Sequence, residues 1–175
     1  MKNRHAIYFR ILIIIVSIFG IQKLISQTVI AKASGYSLIF TNQVSSGIEV
    51  KLPKGFSTQL VYTYYSHCNY DCTDEIKIIP ELRYYLQFIE LDKIYLHTFY
   101  EYIYTATDLE EGEYQEQESH VIGLGLGYQF HFKNGIFLDI GLAPTLTNYP
   151  FINFTNPKIG LRFSLFVGFN LFQKK

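Results

Sequence analysis

Apolar side chains recur at every second residue over most of this chain. In residues 122–132, Ile122, Leu124, Leu126, Tyr128, Phe130 and Phe132 share one face, and Gly123, Gly125, Gly127, Gln129 and His131 share the other. Successive side chains of a strand point to opposite faces, so a period of two specifies extended structure and excludes a helix. Further on, Ile136, Leu138, Ile140, Leu142 and Leu146 oppose Gly135, Asp139, Gly141, Ala143, Thr145 and Thr147. Near the C-terminus, Ile159, Leu161, Phe163, Leu165, Val167, Phe169 and Leu171 oppose Gly160, Arg162, Ser164, Gly168 and Asn170. Upstream, Leu60, Tyr62 and Tyr64 oppose Gln59, Thr63 and His67, while Ile76, Ile78, Leu82 and Tyr84 oppose Glu75, Lys77, Glu81 and Arg83. Ile94, Leu96, Tyr100, Tyr102 and Tyr104 likewise face away from His97 and Glu101.

The connections alternate in length. Pro53-Lys54-Gly55 and Lys133-Asn134-Gly135 read as tight turns, Asn-Gly being a strong hairpin signal. Residues 68–73, the acidic stretch 108–119 and residues 148–155 read as longer loops. Counting back from the C-terminus gives seven clear strands, with a weaker eighth expected over 34–41 before a break at 42–46. Eight strands with short turns at one end and longer loops at the other predict an eight-stranded antiparallel up-and-down transmembrane β-barrel. Runs of about 9–11 residues suffice to cross a bilayer at a tilt.

The first residues read differently. Lys2, Arg4 and Arg10 precede the apolar run 11–21, which Gln22 and Lys23 end. A basic segment before an apolar run of about 7–15 residues is the layout of a secretory signal peptide, and a spanning helix would need roughly 20 apolar residues. Residues 1–27 are therefore expected to be a cleaved signal, and 28–175 the barrel domain. The whole chain carries 15 basic and 15 acidic residues. The first 27 hold four of the basic ones and no acid, leaving 11 basic against 15 acidic residues, a net charge of −4. A nucleic-acid binder would show a basic excess. Aromatic content of 17% also excludes a disordered chain.

Alternation by itself fits a soluble lipocalin-like barrel as well as a membrane barrel, which is its inverse. The Gly-rich polar face suits a cramped interior, and its charges come in both signs. Tyr and Phe of the apolar face gather toward strand ends at Tyr62, Tyr64, Tyr100–Tyr104 and Tyr128–Phe132, in the manner of interfacial girdles. These features favour the membrane.

Three segments carry a resemblance: Pro80-Glu81-Leu82-Arg83-Tyr84-Tyr85-Leu86, the run Gly123-Leu124-Gly125-Leu126-Gly127-Tyr128-Gln129-Phe130, and 133–141, together with 46–51. They resemble a family of small bacterial outer-membrane β-barrels of unknown function within the outer-membrane barrel superfamily. The resemblance implies fold and outer-membrane location, and no established activity. Residues 160–172 resemble the aromatic-ended closing strand that barrel-assembly machinery recognises, although Gln173-Lys174-Lys175 follow Phe172 here. The expected partners are outer-membrane lipid and that machinery during biogenesis, with a monomer favoured and no nucleic acid.

Alternation directs Glu49, Lys51, Lys77, Glu81, Arg83, Glu101, Asp139 and Arg162 inward. Unpaired buried ions are costly, so these are expected to pair as an interior charge network; a narrow gated path for ions or protons is the alternative. Cys68 and Cys72 are expected to form a disulfide in an outer loop, the alternative being a three-ligand metal site with His67. Glu118-Ser119-His120 has side chains suited to an outer-leaflet lipid hydrolase, but neighbours in a strand point apart. Ser66-His67 has the same defect. Gly123-x-Gly125-x-Gly127 lacks the spacing and following helix of a nucleotide site. The acidic run Glu110, Glu111, Glu113 reads as a solvated loop. The sequence thus favours a non-catalytic barrel without cofactor or metal, having a structural or interaction role through its outer loops.

Overall fold

The computed structural model describes residues 28–34, 43–68, 72–86, 93–108, 114–132, 135–148 and 158–172. Eight strands follow one another: β1 (Val29–Ser34), β2 (Gln43–Lys51), β3 (Phe56–Cys68), β4 (Cys72–Tyr85), β5 (Ile94–Asp108), β6 (Tyr114–His131), β7 (Ile136–Asn148) and β8 (Lys158–Phe172). Each pairs antiparallel with its sequence neighbours, and β8 returns to β1 to close the barrel. Closure satisfies backbone groups that an open sheet would leave at its edges.

The first strand begins earlier than the alternation suggests. Lys32 pairs with Gly47 and Ala31 with Ile48, whereas residues 35–41 of the segment expected to be this strand, 34–41, lie outside the described residues. Residues 29–34 lack a clean pattern because Ile30 points inward with Lys32 and Ser34. The expected break at 42–46 is also corrected, since Gln43–Ser46 pairs with Tyr65–Tyr62 of β3. Its polar residues resemble a turn, yet Ser45 faces the interior, its Oγ 2.9 Å from Thr63 Oγ1. The expected loops at 68–73 and 108–119 shrink in the same way. Thr105 pairs with Gln117 and Asp108 with Tyr114, so the polar residues continue the β5–β6 hairpin. The expected signal segment, residues 1–27, lies outside the described residues.

Three connections sit at the turn end of the barrel. Lys54 (φ 62°) and Gly55 (φ 80°) both take left-handed conformations between β2 and β3. Gly135 (φ 78°) starts the return into β7, where Phe132 N–H donates to Ile136 O at 2.9 Å. Glycine meets these torsions without the Cβ clash that other residues carry.

The two faces of the wall are inverted relative to a soluble barrel. Outward positions bear Ile48, Leu60, Ile78, Leu82, Leu96, Ile122, Leu124, Leu126, Leu142 and Phe163, all exposed, with Leu124 at 65%. Inward positions bear Lys32, Glu49, Gln59, Glu81, Arg83, His97, Gln129 and Asp139, all buried. The Gly run of β6 accommodates the bulky inward side chains of β5. Tyr95 pairs with Gly127, His97 with Gly125 and Phe99 with Gly123, and a Cβ on Gly127 or Gly123 would collide with the opposing ring. Two prolines lie mid-strand and face outward. The β4–β5 ladder passes from Ile78↔Tyr102 to Glu81↔Phe99, with no pair at Pro80, which has no N–H to contribute.

Candidate functional site in the barrel interior

The interior has three levels. At the turn end is a compact ionic cluster. Glu49 receives Lys32 Nζ at 2.5 Å, Lys51 Nζ at 2.9 Å and the Tyr85 hydroxyl at 2.8 Å. Asp139 accepts from Lys32 Nζ, Arg83 Nη1 and the Tyr95 hydroxyl. Arg83 Nε donates to Glu81 Oε1 at 2.6 Å. Lys32, Lys51 and Arg83 thereby balance Glu49, Glu81 and Asp139, and this neutrality is what burial of so many ions requires. Amides and rings complete the cluster. Lys32 Nζ donates to Gln59 Oε1 at 2.6 Å, Lys51 Nζ to Gln129 Oε1 at 3.0 Å, and the Arg83 guanidinium lies 4.3 Å from the Tyr95 ring centre. Its side chains come from β1, β2, β3, β4, β5, β6 and β7, so it ties the barrel across its bore as well as around its wall.

Above the cluster is an apolar layer of Val61, Ile79, Phe99, Val121, Ala143 and Phe166, with Ile103 packed against it. His97 sits at the junction, its ring between Tyr95 and Phe99. Its Nδ1 lies 3.1 Å from Glu81 Oε1 but off the angle of a hydrogen bond. Beyond the layer, toward the loops, is a second polar region with Lys77, Glu101 and Arg162.

The eight inward charges read from the sequence therefore fall into two groups. Glu49, Lys51, Glu81, Arg83 and Asp139 meet in the turn-side cluster. Lys77 and Glu101 face each other on the loop side at 3.9 Å, and Arg162 lines the same region without an ion pair among the described residues, its guanidinium over Phe99 at 4.2 Å. The central member that sequence reasoning missed is Lys32, whose short strand gives no readable alternation. Tyr85, Tyr95, Gln59 and Gln129 were also missed, because an aromatic or an amide on an inward face gives no signal of pairing by itself. Parity with Leu96 and Tyr84 could have placed both tyrosines inside.

The other candidates separate. Ser119 is buried inside the wall, while His120 is outside it, its Nδ1 2.6 Å from the Tyr100 hydroxyl. The wall thus stands between the two side chains. Ser66 and His67 are both exposed on β3, and His67 stacks with Tyr65. Cys68 and Cys72 are directly opposite in the β3–β4 register. Residues 109–113, with the acidic run, lie outside the described residues. On the outer wall the Tyr64 hydroxyl donates to Asp74 at 3.1 Å and the Tyr102 hydroxyl to Glu118 at 2.8 Å.

No family model matches this chain, and no curated protein sequence does. Among solved structures, the N-terminal β-barrel domain of Pseudomonas aeruginosa OprF is similar, with 15% identity over 82% of this chain and 97% of that one, at a TM-score of 0.49. Neisserial surface protein A (NspA) is similar at 14% identity, covering 82% of this chain and 94% of that one, with a TM-score of 0.47. The likeness is one of architecture.

Proposed function

We propose that this protein is a non-catalytic barrel of the bacterial outer membrane, serving as a closed, membrane-embedded scaffold that presents its loop-side hairpins to lipid or a partner. One observation carries this reading. The wall exposes a broad band of large apolar side chains and buries a cluster of ions. In water such a surface would be a hydrophobic patch far above the few hundred Å² that soluble monomers show, which counts against the lipocalin-like alternative. In lipid it is the required solvent-facing surface. Tyr64 and Tyr102, bonded to Asp74 and Glu118, fit the level at which the apolar band meets water, with ring bodies toward lipid and hydroxyls toward polar groups.

Export through cleavage of residues 1–27 accompanies this reading, as do insertion by barrel-assembly machinery, a monomeric state and a Cys68–Cys72 disulfide. The lipid hydrolase is disfavoured by the separation of Ser119 from His120. The ion-path alternative is disfavoured by the apolar layer, which adds a dehydrated barrier to the ionic cluster. In cell fractionation the mature chain should stay with membranes, leave them only with detergent, migrate differently on gels before and after heating, and be silent in planar bilayers. Release into the soluble periplasmic fraction would overturn the membrane assignment, and discrete single-channel currents would overturn the closed scaffold.

A further inference from the structure

The polar region on the loop side of the apolar layer borders a half-open cavity of about 350 Å³, within the lower part of the range typical of small-molecule sites, about 300–1,000 Å³. Its wall includes Lys77, Glu101, Arg162, Thr63, Thr145 and Ser164. The two cations are unequally matched. Lys77 Nζ is 2.9 Å from Glu75 and 3.9 Å from Glu101. Arg162 has no carboxylate within ion-pair distance among the described residues, and its Nη1 is buried with no hydrogen-bond acceptor. Its guanidinium lies over Phe99, 4.2 Å from the ring centre, a contact that holds it without supplying a hydrogen-bond acceptor. Arg83, buried on the other side of the apolar layer, is by contrast bonded to Glu81 and Asp139. An unsatisfied buried donor on a charged group is costly unless something completes it. A guanidinium fork is the side chain best shaped to grip a planar or tetrahedral oxyanion through parallel hydrogen bonds.

We propose that this cavity binds a small molecule bearing an oxyanion, a carboxylate or a phosphate, with Arg162 as the anchor. Lys77 adds positive potential, Thr63, Thr145 and Ser164 supply neutral hydrogen bonds, and Glu101 disfavours a second negative group. The oxyanion comes either from a soluble molecule or from the headgroup of an outer-leaflet lipid. The site is separate from the scaffold role and does not depend on what the loops contact.

Arginine side-chain NMR of the full-length mature chain, refolded in an uncharged glucoside detergent, tests the proposal. Arg83 and Arg162 are the two arginines beyond residue 27, and Arg83 serves as the internal control. Titration with inorganic phosphate, then sodium benzoate, then phosphatidic acid in mixed micelles should move the Arg162 resonances saturably and leave those of Arg83 in place. A response to the soluble anions assigns a soluble ligand, and a response to the lipid alone assigns a headgroup. Phenyl phosphate affinity should fall at least about tenfold in Arg162→Lys, which keeps the charge and loses the fork. No shift with any probe, or equal shifts at Arg83 and Arg162, would overturn the proposal. The wild-type titration decides even if the variant does not fold.

Discussion

Asp139 is fully buried and is held by two cations and a phenol. Removing its charge leaves Lys32, Lys51 and Arg83 facing only Glu49 and Glu81, so the cluster gains an uncompensated positive charge in the bore. Loss of one partner of a buried ionic group typically costs about 3–5 kcal/mol. Asp139→Asn should lower stability by roughly that amount in urea unfolding of the chain refolded into lipid vesicles, and a loss below about 1 kcal/mol would show that the cluster holds little of the fold. At this scale the sequence was partly legible. Alternation put Asp139, Glu81 and Arg83 on the inward face because their strands carry strong apolar partners on the other. It did not divide Arg162 from the cluster, because the apolar layer between them is assembled from six strands and no local pattern records it.

At the scale of elements, the pairing of β5 with β6 couples two patterns that look independent in the sequence. The inward Tyr95, His97 and Phe99 of one strand need the absence of side chains at Gly127, Gly125 and Gly123 of the other. A Cβ at Gly127 would meet the Tyr95 ring and displace the hydroxyl that donates to Asp139. Gly127→Val should therefore cost about 1–3 kcal/mol in the same unfolding assay, in line with overpacking, whereas Gly127→Val combined with Tyr95→Ala should recover part of the loss. Absence of any such recovery would contradict the pairing. The loop-side hairpins were the least legible elements, because Thr, Gln and Glu in residues 105–119 read as loop although their backbone continues the ladder. At the tip of the β3–β4 hairpin, alkylation should find no free thiol in Cys68 and Cys72 before reduction. Reduction should cost at most about 2 kcal/mol because the ring is small. Two reactive thiols in the native protein would contradict the disulfide.

The whole molecule is a barrel whose bore is occupied at one end by a neutral ionic cluster, crossed by an apolar layer, and lined at the other, among the described residues, by a half-open polar cavity. Its neutral composition, with equal counts of acidic and basic residues, gives no sign of this, since the inversion lies in where the charges point. Fold class was legible because period two survives over strands of 13–18 residues in β3 to β8. Which face meets solvent was settled by the closed geometry and the burial of the charges. Leu126, exposed at 56% near the middle of the outward row of β6, tests that inversion most directly. Leu126→Arg should destabilise the barrel in lipid vesicles by about 2–4 kcal/mol, the cost of a cation at the bilayer midplane. The same substitution near the rim, such as Leu146→Arg beside the loops, should cost less. A Leu126→Arg chain that unfolds at the wild-type urea concentration, or gains solubility without detergent, would contradict an outward face built for lipid.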